Sequence, residues 1–173
     1  MDLKNKIEIL SDKYFNEIVK IRHYLHQNPE LSFEEYNTSK YIASKLKEYG
    51  IPFKGGFVKT GIVAYIKGID PSKSTIALRA DIDALPIEEK NDVPYKSLNI
   101  GKMHACGHDV HTASLLGAAK ILSELKSQFS GTIVLLFQPG EEKIPGGAIN
   151  MIKKELWKIQ SLKKFLHYTH CPP

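Results

Sequence analysis

At 173 residues the chain is long enough to bury a core, and its 42% hydrophobic and 25% charged residues exclude a disordered protein. The formal net charge is +5, but residues 153–173 carry five lysines against the single acid Glu155, so the rest is nearly neutral and offers no basic face for nucleic acid. No apolar run reaches membrane-spanning length, Met1-Asp2-Leu3-Lys4 is no signal peptide, and Cys106 and Cys171 suggest no disulfide, which predicts a cytoplasmic protein without a membrane partner.

Apolar residues at helical spacing (Ile7, Leu10, Tyr14, Ile18, Ile21, Leu25) predict an amphipathic helix over residues 3–27, stopped by Asn28-Pro29. His26, near its end, reads as structural or as a rim residue. A second helix is expected over about 35–49, ended by Gly50. Gly61–Ile66 reads as a strand, Asp70–Lys73 as a turn, and Thr75–Arg79 as a buried strand running into Ala80-Asp81-Ile82-Asp83. A helix over about 109–126 has Leu115, Leu116, Ala119 and Leu122 on its inner face. Gly131–Phe137 is a third buried strand delivering Gln138-Pro139-Gly140-Glu141-Glu142, and Pro145-Gly146-Gly147 starts another helix. The alternation predicts an α/β fold, in which chemistry gathers at the carboxyl ends of strands.

Three loops there carry chemistry: Asp81/Asp83, Cys106/His108 and Glu141/Glu142. Cys106 and His108 can reach one metal ion if Gly107, lacking a Cβ, lets the backbone turn sharply between them. Adjacent glutamates point different ways, so one can bind a metal while the other moves protons. Thiolate, imidazole and carboxylate together suit zinc, manganese or cobalt. Each piece alone has an ordinary reading as a capped turn, a solvated acid pair or a buried thiol. Falling together at strand ends, they predict metal-assisted hydrolysis of an amide.

These residues resemble the metal-dependent N-acyl-amino-acid amidohydrolases of the hippurate hydrolase and auxin-conjugate hydrolase type, within the aminoacylase/carboxypeptidase superfamily. The resemblance spans about residues 14–152. It rests on Arg22-x-x-Leu25-His26-x-x-Pro29-Glu30-Leu31-Ser32, Arg79–Pro86, His104–Asp109 with His111-Thr112-Ala113, and Phe137–Glu142 with Gly146-Gly147-Ala148. It implies that Cys106, His108 and Glu142 are ligands of a site for two divalent metal ions (zinc, manganese or cobalt). Glu141 would be the general base and acid, and Asp83 a supporting carboxylate. It further implies the N-terminal part of a mixed-sheet, zinc-peptidase-like catalytic domain, small-molecule N-acyl amino acid substrates, and a homodimer formed through a lid domain.

Residues 1–152 are thus expected to form the first part of the catalytic domain, with the lid and dimerisation domain absent. The tail 153–173 departs from the family pattern, which places a histidine ligand soon after Glu142. His167 or His170 falls at about that distance. The expected explanation is a frameshift in the A-rich codons of Lys153-Lys154, and the alternative is a divergent tail with His170 as ligand. Read one base out of register, the codons of the tail allow a Gly-Val-Leu-Glu-Asn-Pro…Ile-Phe-Ala-Leu-His pattern similar to the family's. On that reading the chain is expected to be a poorly stable, inactive fragment. Competing readings are a non-enzymatic fragment that associates with a full-length paralogue, a related metallo-carboxypeptidase or dipeptidase, and, more weakly, a structural zinc module.

Overall fold

A computed structural model describes residues 2–153 and the backbone of residues 164–167. Helix α1 spans Leu3–Gln27, its first turn capped by Asp2, whose carboxylate accepts the Asn5 amide at 2.8 Å. It buries Tyr14, Ile21 and Leu25, whereas Ile7 and Ile9 stay exposed. The reason is length. The helix α3 on which it packs (His108–Glu124) has 17 residues against 25, so α1 overhangs by roughly 12 Å at 1.5 Å per residue. Helix α2 (Tyr36–Glu48) buries Ile42 and Leu46 and gives way at Gly50, whose φ is 66°.

Strands β1 (Phe53–Phe57), β2 (Gly61–Lys67), β3 (Thr75–Asp81), β4 (Thr132–Gln138) and β5 (Lys164–His167) form one mixed sheet in the order β1-β2-β4-β3-β5. β1–β2 and β2–β4 are antiparallel, while β3 runs parallel to both β4 and β5. Two of the five strands go beyond the three expected. β1 is an exposed edge strand with two adjacent glycines, Gly55-Gly56, and so lacks the β-branched alternation that would announce it. β5 falls in the lysine-rich tail. The other tail residues, 154–163 and 168–173 with His170, lie outside the described residues, as does any test of the shifted frame.

Side-chain alternation splits the sheet into two apolar faces. Ile62, Ala64, Ile66, Ile133, Leu135 and Phe137 pack with α1, α2 and α3 in the larger core. Val63, Ala77, Val134 and Leu136 face the other way, where Met151 of helix α4 (Gly147–Lys153) joins them. β4 is buried on both faces, which explains its unbroken run Ile133–Phe137. β3 and β4 are in register from Thr75↔Thr132 to Asp81↔Gln138. Their ends therefore release Asp81-Ile82-Asp83 and Pro139-Gly140-Glu141-Glu142 side by side. No helix among the described residues is long and apolar enough to cross a membrane.

Candidate metal centre

The loop before α3 turns as its glycine requires. Gly107 is left-handed, with φ 76° and ψ 20°, and makes His108 the first residue of the helix. An isolated antiparallel bridge between Leu85 and Met103 ties this loop to the segment that follows β3.

His108 is buried, and its two ring nitrogens have different surroundings. Nδ1 lies 3.0 Å from the backbone oxygen of Asp83 and 3.2 Å from its carboxylate, so it carries the proton. Nε2 is left as an acceptor 3.9 Å from Glu142 Oε1. This is how a metal-ligating imidazole is fixed, with the outer nitrogen tied to a carboxylate and the inner lone pair free. Asp83 is wholly buried and also accepts the Ser32 hydroxyl at 2.6 Å and the Glu142 amide at 3.0 Å. Burial works against its ionisation, but those three donors outweigh it and hold the carboxyl below the usual range.

Donor atoms of His108, Glu141 and Glu142 lie within 4.8 Å of one another. Cys106 is outside that set but adjacent to it, exposed, with its thiol hydrogen-bonded to Glu142. That bond, burial and the surrounding carboxylates push the thiol up to about 11. Burial and the negative charges of Asp81 and Glu142 raise Glu141, so its proton affinity is greater than that of an isolated glutamate. The five residues singled out in the sequence are therefore brought together, with Asp83 beneath His108 and the diglutamate above.

Three arrangements go beyond the sequence reading, which named Asp81, His26, His104 and His111 without bringing them together. Asp81, His108 and His111 form a second donor set within 4.8 Å. His111 lies one turn after His108 on α3, and that spacing is the signal that would have found it. Arg79 already pairs with Asp81 at 2.5 Å, which opposes a cation there. The second feature is a buried polar network under the loop: Asp109 Oδ2 forms an ion pair with Arg22 Nε at 2.7 Å and a hydrogen bond with His26 Nδ1 at 2.8 Å, and His26 Nε2 meets Glu89 at 3.1 Å. His26 is thus structural, as expected, and its hydrogen bond to Asp109 raises its pKa. The third is His104, buried beside this network, whose pKa burial drives down to about 4 and which is therefore neutral.

A mixed donor set of one thiol, one pre-oriented imidazole and two carboxylates fits a divalent transition metal. The chain is similar to proteins already known. The profile of Peptidase family M20/M25/M40 matches residues 77–172. The chain is 43% identical over 150 residues to the N-acyl-L-amino acid amidohydrolase of Geobacillus stearothermophilus, covering 87% of this chain and 40% of that one. It is 49% identical over 142 residues to the hippurate hydrolase of Campylobacter jejuni, covering 82% and 36%. The crystal structure of Bacillus subtilis YxeP, a dinuclear metal-binding peptidase, superposes with a TM-score of 0.86 at 38% identity, covering 93% of this chain and 44% of that one. The chain thus spans about two fifths of the length of its relatives. Over that span it belongs to Peptidase family M20/M25/M40 and has the α/β fold of part of the family's catalytic domain.

Proposed function

We propose that these residues serve the metal-dependent hydrolysis of the amide bond of an N-acyl amino acid. The observation that carries this reading is the single carboxylate, Asp83, that both orients His108 and accepts the Glu142 amide. Cys106, His108 and Glu142 would hold the ion. When bound, it polarises the amide carbonyl and makes water more acidic. Glu141, with its raised proton affinity, takes the proton of the attacking water and delivers it to the leaving nitrogen. Asp83 keeps the His108 ring in place throughout. The names of the relatives support the substrate class, and the YxeP neighbour supports a centre for two ions, with zinc, manganese and cobalt all suited to the donors.

Among the described residues, the two donor sets share His108, and one imidazole nitrogen serves one ion. We therefore expect this chain to bind one ion well and a second poorly, with little or no turnover of its own. The test is a cobalt-loaded sample titrated with N-acetyl and N-benzoyl amino acids. A change in the cobalt spectrum that the free amino acids do not reproduce supports the reading, and indifference to acylated ligands contradicts it. If free amino acid is released, Glu141→Gln should abolish the release while the ion stays bound.

A further inference from the structure

Glu35 is a carboxylate with no exposed surface, and it takes no part in the chemistry just described. Its Oε1 accepts the Phe33 amide at 2.9 Å and the Gly140 amide at 2.8 Å, and its Oε2 accepts the Thr60 hydroxyl at 2.6 Å. All three donors are neutral. Enclosing a carboxylate costs free energy that such donors only offset, and an apolar side chain would fill the space with less penalty. What an apolar side chain cannot do is hold the Gly140 amide, 105 positions away.

The neighbours of Glu35 act on the same turn. Phe33, at φ 67°, lays its ring against Gly140, where an added Cβ would come within 2.3 Å of it. Ser32 donates to Asp83, and Asp83 accepts the Glu142 amide. Glu141 therefore sits between two fastened amides, Gly140 held by Glu35 and Glu142 held by Asp83. We infer that Glu35 is a positioning residue for the diglutamate: by anchoring the Gly140 amide it fixes the backbone from which Glu141 and Glu142 project. This deepens the function proposed above and rests on it for the meaning of the position, while the anchoring itself can be measured without any metal.

The experiment compares the chain with Glu35→Gln, Glu35→Ala and the core control Leu46→Ala by hydrogen exchange across residues 137–142 and by cobalt affinity. Glutamine can still accept both amides through its oxygen and donate to Thr60 through its nitrogen, so its exchange and affinity should stay within about threefold of the parent. Alanine should speed exchange of the Gly140 amide at least about tenfold and weaken cobalt binding by about tenfold or more, the usual effect of losing an outer partner of a metal site. Leu46→Ala, which removes buried volume in α2, should lower global stability but leave the cobalt affinity of the folded protein unchanged. Exchange at Gly140 unaltered in Glu35→Ala, glutamine failing as badly as alanine, or the control losing as much affinity as Glu35→Ala would each overturn the inference. A faster Gly140 amide in a chain that binds no cobalt would sustain the anchoring and instead reject the metal-site reading.

Discussion

Replacing Asp109 by alanine should destabilise the chain through the network beneath the metal loop. The Asp109 side chain is fully buried and holds both Arg22, at 2.7 Å, and His26, at 2.8 Å. Removing it leaves two donors facing a cavity, one of them a permanent cation. Breaking a buried pair from one side costs about 3–5 kcal/mol. Arg22 is 26% exposed and also lies over the Tyr95 ring, so water and the ring relieve part of that charge, which places the loss near the lower end, about 3 kcal/mol. Against a typical total of about 5–15 kcal/mol this is a large fraction. In urea unfolding followed by circular dichroism, slopes of about 1–3 kcal/mol/M translate it into a midpoint shift of about 1–3 M. Asp109→Asn keeps an acceptor for His26 and should fall between the two. A loss below about 1 kcal/mol for alanine would refute the reasoning, because it would mean that water already reaches the pair.

The same pair sets a pH window. His26 is raised above 6.5 by its bond to Asp109, so its contribution is fully present below 6.5 and is lost as the pH rises through its folded value. Burial opposes ionisation of Asp109, but the His26 hydrogen bond and the Arg22 charge lower it below 3.8, so its contribution is present above 3.8 and lost as the pH falls through the lowered value. The stability difference between the parent and Asp109→Ala should therefore peak between those pH values and shrink on either side in urea melts. Gly147→Ala should disrupt the diglutamate turn, because the new Cβ would stand 1.6 Å from the Pro139 carbonyl oxygen. A loss of at least about 1–3 kcal/mol is expected in the same melts, with weaker cobalt binding. The Cys106 thiol, pushed up to about 11, must shed its proton to bind metal, so affinity should climb with pH. In Cys106→Ser the slope of log affinity against pH should fall by about one.

Local rules made most of the fold legible. The spacing of Tyr14, Ile21 and Leu25 locates α1, Gly107 locates the start of α3, and the apolar run Ile133–Phe137 marks the strand buried on both faces. β1 was not legible, since Gly55-Gly56 weakens its pattern and an exposed edge demands little of its side chains. The extent of α1 burial depends on the length of its partner α3, which no periodicity within α1 encodes. At the site, the residue types and their strand-end positions were readable, and the structure adds the reason His108 presents Nε2. Glu35 could not have been found in this way. In Phe33-Glu34-Glu35 nothing in the sequence distinguishes it from a solvated acid at the start of the second helix, and its burial follows only from Thr60 and Gly140 closing over it. His26 was legible as structural or at a rim, but its partners Glu89 and Asp109, distant in sequence, were not. The tail invites a different measurement, DNA sequencing through codon 154. A downstream reading frame that restores the family pattern would establish the shifted register, and a closed frame would reject it.

The most direct test of the account is a cobalt titration of the purified chain beside Cys106→Ser and Glu142→Gln. The account predicts one tightly bound equivalent, a thiolate-to-cobalt charge-transfer band that disappears in Cys106→Ser, and an affinity loss of at least about tenfold in each variant. No bound cobalt, or binding that neither substitution weakens, would contradict it.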